Sequence, residues 1–130
     1  MAATYVDSSA IVKLVVAEPE SGALRTYLRR RRPLVSSTLA RTEVLRALLP
    51  EGGEAVQRGR DVLARLDLIR MNEQILDAAG VLLPATVRSL DAIHLATALA
   101  VGQDLARVIT YDVRMVDVAN DLGLRPYSPS

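Results

Sequence analysis

The chain has 130 residues, half of them apolar, with a net charge of only +1 and no cysteine. This length fits one domain with a single core, and so apolar a composition excludes a disordered chain. Without cysteine the chain has neither disulfides nor thiolate metal sites, and a reducing cytoplasm is the expected compartment. No basic leader begins the sequence, and no apolar run approaches the roughly 20 residues that cross a bilayer, so we expect neither secretion nor membrane insertion. The near-neutral charge also lacks the global positive field of many nucleic-acid binders.

Segments typical of strands and of helices alternate along the first part of the chain, which predicts a parallel sheet. The predicted strands are 3–6 and 34–36, and the predicted helices are 9–17 and 21–31. Two helical segments, 38–49 and 54–66, follow as a hairpin. They are separated by Pro50-Glu51-Gly52-Gly53, where proline and adjacent glycines interrupt a continuous helix.

The second half continues the same pattern. A short strand is predicted at 67–71, then a helix at 73–83 that Pro84 ends, and a helix at 90–101 that Ser89 caps and Gly102 closes. A strand at 107–110, a helix at 113–122 and an edge strand at 124–127 complete the chain. With no repeat or linker in the sequence, we expect one α/β domain over residues 1–130, built on a mainly parallel sheet of four to five strands flanked by helices.

Three aspartates lie where such a fold would gather them. Asp7 and Asp112 each follow a predicted strand, and the carboxyl ends of parallel strands form the edge at which open α/β sheets bind ligands. Each also has a purely structural explanation, because aspartate directly before a helix is a favoured N-cap. Asp91 lies in the first turn of a predicted helix, where the helix dipole favours a negative charge. Taken singly, none of the three identifies a site.

Glu43 is harder to explain structurally, because its predicted helix flank carries Leu39, Ala40 and Ala47. Charged groups rarely lie on such a flank unpaired, and the structural alternative is an i,i+3 pair with Arg46. Together with the three aspartates, Glu43 favours a shared site. Two unit charges ~4 Å apart repel by about 4 kcal/mol at an effective dielectric near ~20, so a cation must compensate them. Ligands that are all oxygen suit Mg²⁺ or Mn²⁺ rather than zinc.

At this point the sequence resembles the PIN-domain ribonucleases, and in particular the toxins of bacterial VapBC toxin-antitoxin pairs. The likeness spans nearly the whole chain. It is carried by four segments, Tyr5-Val6-Asp7-Ser8-Ser9-Ala10, Ser36-Ser37 through Thr42-Glu43-Val44, Leu90-Asp91-Ala92-Ile93-His94-Leu95-Ala96-Thr97-Ala98, and Thr110-Tyr111-Asp112.

The resemblance implies a PIN-like three-layer sandwich and an Mg²⁺-dependent endoribonuclease, with Mn²⁺ able to substitute. It implies that Asp7, Glu43, Asp91 and Asp112 are the catalytic, metal-holding carboxylates, and that the hydroxyls of Ser8 and Thr110 support them. It further implies an RNA substrate cut by metal-activated water, a homodimer, and a VapB-like antitoxin that silences the toxin. A non-toxin PIN nuclease that processes RNA and a catalytically inactive binding module are the alternatives.

Several features stay open. His94 is the only histidine, which excludes a two-histidine mechanism and favours a packed or supporting role over a catalytic one. Asp117 is either a rim residue of the site or a solvated helix charge. Arg29-Arg30-Arg31-Arg32 either meets RNA phosphates or complements a helix C-terminus. Asp7 also resembles the nucleophile of the haloacid dehalogenase phosphatases, which form an aspartyl phosphate. That class has a second aspartate two residues after the nucleophile, and here this position is Ser9, so the resemblance is poor.

Overall fold

A computed structural model describes residues 2–130. Over these residues one parallel sheet runs in the order β3-β2-β1-β4-β5, and every strand pair is parallel. The strands are β1 (Ala3–Val6), β2 (Leu34–Ser37), β3 (Asp67–Ile69), β4 (Leu105–Ile109) and β5 (Pro126–Tyr127). The predicted α/β class and its parallel sheet are confirmed, with five strands in the sheet.

Helices cover both faces of the sheet. They are α1 (Ser8–Lys13), α2 (Ser21–Leu28), α3 (Leu39–Leu48), α4 (Gly53–Leu63), α5 (Glu73–Gly80), α6 (Ser89–Val101) and α7 (Val113–Asp121). Adjacent residues of β1 point to opposite faces. Val6 packs among α1 to α4, and Tyr5 packs with residues of α6 and α7. The three predicted layers are therefore present.

Four helices end clearly earlier than predicted, and two of them are α2, which ends at Leu28 rather than at residue 31, and α4, which ends at Leu63 rather than at residue 66. Helix α1 ends at Lys13 instead of continuing to residue 17. The Ser21 hydroxyl donates to the Lys13 carbonyl at 2.7 Å, and Pro19 disfavours a helical conformation in the residue before it. Helix α5 ends at Gly80 rather than at residue 83, and glycine is a poor helix former.

Of the predictions for the two ends of α6, the one for the start is wrong and the one for the finish is confirmed. The prediction that Ser89 caps the helix is wrong, because Ser89 is its first residue and Arg88, the N-cap, makes no side-chain cap hydrogen bond. Asp91 lies in the first turn as predicted. Gly102 closes the helix with φ +74°, a left-handed conformation that glycine adopts without steric cost. The start of α6 thus depends on tertiary contacts rather than on a local cap.

Helix α3, which carries Glu43, is held firmly. Its residues Val44 and Leu48 are fully buried in the layer formed by α1 to α4. Helix α4 packs closely against it at Gly59, where a Cβ atom would overlap the Leu48 side chain. The predicted helical hairpin therefore exists, with a 3₁₀ turn at Leu49–Glu51 as its connection.

The carboxyl ends of β1, β2 and β4 form one edge of the sheet. Asp7 follows β1 and its backbone N–H donates to the Ile109 carbonyl at 3.1 Å, at the end of β4. Ser37 ends β2 directly before α3. This edge positions the residues described below. Among residues 2–130 no helix has the length and apolar character needed to span a membrane.

Candidate active site

Asp7 lies at the centre of the edge and is 2 % exposed. Its Oδ1 accepts the Ala10 N–H of α1 at 3.0 Å and the Ser9 hydroxyl at 2.6 Å, while its Oδ2 accepts the Thr110 hydroxyl at 2.5 Å. Asp7 is therefore the N-cap of α1, as its structural explanation predicts. The same bonds fix its carboxylate at the end of two adjacent strands.

Burial raises the pKa of Asp7, and the hydrogen bonds from Ser9, Thr110 and the Ala10 N–H offset that effect only in part. None of the salt bridges among residues 2–130 includes Asp7. A buried carboxylate without a positive partner is unfavourable in its charged form. A cation bound at Oδ2, which has one lone pair left after the bond from Thr110, would supply the missing charge.

Glu43 projects from α3 and is partly exposed. Its Oε1 accepts two hydrogen bonds, from the Ser8 hydroxyl at 2.7 Å and from Nε2 of His94 at 2.6 Å. Burial would raise the pKa of Glu43, but these bonds outweigh it, so the pKa lies below its ordinary value. The alternative pair with Arg46 is not among the salt bridges of residues 2–130. The two hydrogen bonds thus favour the charged form of Glu43, and both fix its carboxylate at Oε1.

His94 is the buried support of Glu43. It is 3 % exposed, and its Nδ1 lies 2.6 Å from the Tyr5 hydroxyl. A carboxylate can only accept, so Nε2 carries the proton that is donated to Glu43, and in the tautomer with Nδ1 unprotonated that nitrogen accepts from the Tyr5 hydroxyl. Tyr5 belongs to the central strand β1, which makes the chain Tyr5–His94–Glu43 a rigid connection from the sheet to the site.

Asp91 and Asp112 complete the edge. The Asp91 side chain is 22 % exposed and lies 3.9 Å from Arg88. Burial raises the pKa of Asp91, the negative charge of Asp112 raises it further, and Arg88 partly opposes both. Asp112 caps α7 by accepting the Arg114 N–H at 3.0 Å, and its own N–H donates to the Thr110 hydroxyl at 3.1 Å. Asp91 and Asp112 are therefore close enough to repel each other.

The four carboxylates form an open arrangement rather than a closed cage. Over residues 2–130, no three side chains of Asp, Glu, His or Cys stand close enough together to hold a metal ion. Glu43 nevertheless contributes to raising the pKa of Asp91, as Asp112 does, so the negative charges are coupled. Mg²⁺ usually keeps several waters and binds through one or two carboxylates. An all-oxygen set in which the buried Asp7 has no salt-bridge partner among residues 2–130 fits such an ion.

Comparison with known proteins shows the family to which the chain belongs. Residues 4–121 match the PIN domain. Ribonuclease VapC46 of Mycobacterium tuberculosis is 61 % identical over 130 residues, which is the full length of both chains. Ribonuclease VapC47 of the same species is 37 % identical over 96 % of each chain. The chain belongs to the VapC ribonucleases, within the PIN-domain family.

Solved structures share the fold of this VapC ribonuclease at low sequence identity. Mycobacterium tuberculosis VapC20, a sarcin-ricin loop cleaving toxin, superposes with a TM-score of 0.77 at 14 % identity, covering 97 % of this chain and 99 % of its own. A toxin-antitoxin complex from Klebsiella pneumoniae gives a TM-score of 0.76 at 22 % identity and covers 98 % of both chains. At these identities the likeness concerns the fold.

The hydroxyls around the candidate site include one that was not predicted. Thr110 contacts Asp7 and Ser8 contacts Glu43, so both of the predicted hydroxyls lie against one of the four carboxylates. Ser9, which sequence reasoning did not name as a support, donates to Asp7 and accepts the Tyr111 N–H at 3.0 Å. Its position two residues after the capping aspartate was the available signal, because short polar side chains in a first helical turn commonly bond the cap.

The arginine run Arg29-Arg30-Arg31-Arg32 lies away from this VapC site. It follows the end of α2 and precedes β2, so it belongs to the amino-terminal edge of the sheet, opposite the carboxylates. There the Arg31 guanidinium stacks 3.9 Å from the centre of the Tyr27 ring. Asp117, in contrast, is exposed on α7 and borders a cavity that Asp91 also lines.

The buried connection to Glu43 predicts a separation of stability from activity. His94→Leu removes the Nδ1 partner of the buried Tyr5 hydroxyl, which should lower the free energy of unfolding by about 1–3 kcal/mol. The double change Tyr5→Phe with His94→Leu removes both polar groups and should restore most of that loss. Glu43 lacks its His94 donor in both variants, so RNA cleavage should fall about 10- to 100-fold in both. Urea unfolding and cleavage rates check this, and recovery of cleavage in the double variant would contradict the role given to His94.

Proposed function

We propose that this VapC ribonuclease is a Mg²⁺-dependent endoribonuclease and the toxin of a type II toxin-antitoxin pair, acting on RNA in the cytoplasm. The observation that carries the proposal is the electrostatics of this edge of the sheet: Asp7 is buried without a salt bridge, and the negative charges of Asp112 and Glu43 both raise the pKa of Asp91. Hydrolysis of RNA phosphodiesters by water is the reaction that such a site supports, because the substrate brings further negative charge that only a cation can bridge to carboxylates.

Each residue of the site has a part in this proposal. Asp7, Glu43, Asp91 and Asp112 would hold the ion; Mn²⁺, with similar ligand preferences, would substitute for Mg²⁺. The bound ion supplies a more acidic water and positive charge beside the attacked phosphate. The Thr110 and Ser9 hydroxyls keep the Asp7 carboxylate in one orientation. Ser8 and His94 do the same for Glu43 and leave its Oε2 free of hydrogen bonds among residues 2–130.

Water, and not the ribose 2′-hydroxyl, is the proposed nucleophile. A 2′-hydroxyl route needs a general base and a general acid beside the phosphate. His94 is the single histidine, and both of its ring nitrogens are engaged in the buried connection between Tyr5 and Glu43. Hydrolysis by water leaves a 5′-phosphate and a 3′-hydroxyl, whereas the 2′-hydroxyl route leaves a cyclic phosphate.

Purified protein incubated with total RNA and Mg²⁺ tests the activity. Fragments are sequenced by ligation that requires a 5′-phosphate, and in parallel after treatment that opens cyclic phosphates. We expect ligatable fragments from the wild type, none from Asp91→Asn, and unchanged yields from Asp121→Asn, a matched loss of charge at the far end of α7. Cyclic phosphate ends, or cleavage that survives Asp91→Asn, would overturn the proposal.

An antitoxin partner is the second part of the proposal. Several solved structures of the same fold are toxin-antitoxin or VapBC complexes. The acidic edge suits an inhibitor that inserts an arginine. An arginine side chain stays charged and forms bidentate hydrogen bonds with a carboxylate. Inhibition by a cognate VapB-like protein should therefore weaken as salt rises from about 0.05 to 0.5 M. Inhibition that is independent of salt would count against an inserted arginine.

A homodimer is the third part, and an apolar surface suits it. Val81 and Leu83, in the segment after α5, are 78 % and 72 % exposed, and Leu76, which lines a cavity together with them, is 44 % exposed. So many large apolar side chains in one place favour burial against a second copy.

Val81→Glu with Leu83→Glu should convert the dimer to a monomer, because two carboxylates would then be buried at the interface. The matched control is Leu49→Glu, at a 53 % exposed leucine in the α3–α4 connection, which should leave the dimer intact. Light scattering after size-exclusion chromatography gives both masses. A dimer that persists in the double variant would place the interface elsewhere.

A further inference from the structure

A cavity of about 470 Å³ opens beside the carboxylates, between the start of α6 and α7. Its floor is made by Leu95 and Met115, which are 1 % and 3 % exposed. Its rim carries Arg88, Arg114, Asp91 and Asp117. The volume lies within the range of small-ligand sites, roughly 300 to 1,000 Å³. An apolar floor with a charged rim suits a flat aromatic ring that bears polar edges.

The position of the cavity relates it to the substrate. Asp91 belongs both to the rim and to the four carboxylates of the proposed metal site. A phosphate held at that site therefore places an adjacent nucleotide at the mouth of the cavity. Because single-stranded RNA presents its bases unstacked, one base can enter and lie against Met115, whose sulfur makes favourable contacts with aromatic rings.

The charges on the rim distinguish among the four bases. Guanine has two adjacent donors, N1–H and the N2 amino group, which match the two oxygens of one carboxylate. Its O6 and N7 are acceptors that arginine bonds in a bidentate manner. Asp117 supplies a carboxylate for the two donors, and Arg88 and Arg114 supply guanidinium groups for O6 and N7. Adenine, cytosine and uracil lack the paired donors, so each would leave a carboxylate oxygen unsatisfied.

We propose that this cavity binds a guanine base of the RNA next to the cleaved phosphodiester, and that Asp117 determines the specificity for it. The proposal rests on the ribonuclease activity proposed above and adds the base that the site selects. Asp117 also gains a function, since its charge is otherwise that of an exposed residue on α7.

Cleavage of a randomised short RNA in Mg²⁺, sequenced at the ends, tests the proposal first. The wild type should cut with guanosine enriched at one position adjoining the cleaved bond. Inosine at that position, which lacks only the N2 amino group, should lower kcat/KM about 10-fold. Asp117→Asn should cut the guanosine substrate about 10- to 100-fold more slowly than the wild type does. In this variant, replacing guanosine with inosine should lower kcat/KM by less than about 2-fold. Asp121→Asn, one turn further along α7, should keep the wild-type preference.

The outcomes separate the two proposals. Cleavage without base preference beside the cut, or an inosine penalty that is equal in the wild type and Asp117→Asn, overturns the guanine site and leaves the ribonuclease intact. Absence of cleavage of any RNA overturns both. Free guanosine 5′-monophosphate is added in a third arm. Inhibition that depends on Asp117, without a base preference in the RNA, would assign the cavity to a free nucleotide and contradict the proposal.

Discussion

Replacing Asp7 with asparagine is expected to abolish RNA cleavage and, at the same time, to make the metal-free protein more stable. Cleavage should fall by at least about 10²-fold, because an amide cannot supply the charge that holds a divalent cation. Folding should survive, since asparagine is as good an N-cap as aspartate and can accept the Ala10 N–H. The gain in stability follows from the burial that raises the pKa of Asp7, since a neutral side chain at this position no longer resists burial.

The pH dependence of that gain has a definite sign. The fold favours the protonated form of Asp7, so its pKa is higher in the folded than in the unfolded chain. The stability linked to this group is present below the unfolded pKa, about 3.9, and is lost as pH rises through the folded pKa. The advantage of Asp7→Asn should therefore be small near pH 4 and largest at neutral pH.

Thermal unfolding in EDTA between about pH 4 and 8 measures this difference. At neutral pH the variant should melt several degrees higher than the wild type, since 1 kcal/mol corresponds to roughly 2–8 °C for domains of this size class. Thr110→Val is an instructive companion, because it removes a donor to Asp7 and should lower the melting temperature at neutral pH. The difference in melting temperature between Asp7→Asn and the wild type is compared at the two ends of this range. If the variant's advantage were smaller at neutral pH than at pH 4, Asp7 would not carry an uncompensated buried charge.

Removing divalent metal is expected to have an equally large effect. Chelation should abolish cleavage, and Mg²⁺ or Mn²⁺ should restore it. Because the ion compensates carboxylates that repel one another, it should also raise the melting temperature of the wild type. At 100 times its dissociation constant a ligand stabilises the fold by about 2.7 kcal/mol.

Calorimetric scans of the wild type and of Asp7→Asn with and without Mn²⁺ check the second effect independently of cleavage. The shift should be present in the wild type and strongly reduced in the variant. Asp121→Asn controls for a general loss of negative charge and should keep the full shift. Cleavage that continues in excess EDTA, or equal shifts in all three proteins, would show that the carboxylates do not hold the ion.

Much of the candidate site was predictable because strand ends are local features. Asp7 and Asp112 follow apolar segments, and parallel strands bring their carboxyl ends to one edge. The residues at which the helices end were harder to predict from the sequence. Residues 14 to 17 are apolar and continue the helical pattern, yet a side-chain hydrogen bond from Ser21 and the following proline end α1 at Lys13. Pro19 was a visible signal for an earlier helix end, whereas the hydrogen bond from Ser21, eight residues after Lys13, was not.

The support of Glu43 could not be predicted for the same reason. Tyr5 and His94 are 89 positions apart, and their hydrogen bond exists only because α6 packs on the face of β1 that Tyr5 occupies. In the sequence His94 lies three residues after Asp91 on the same predicted helix, and nothing local connects it with Glu43. The structure directs its ring to Glu43 on another helix instead. Residue types and order thus indicated the chemistry, whereas packing decided which side chains support it.

We propose above that side-chain oxygens at one edge of the sheet hold a divalent cation. A crystal structure of the wild type soaked in Mn²⁺, with anomalous difference maps calculated at the manganese edge, tests it most directly. We predict an anomalous peak in contact with the carboxylates of Asp7 and Asp91, and no such peak in Asp7→Asn. A map without a peak at this edge under saturating Mn²⁺, or a peak unchanged in the variant, would contradict the account.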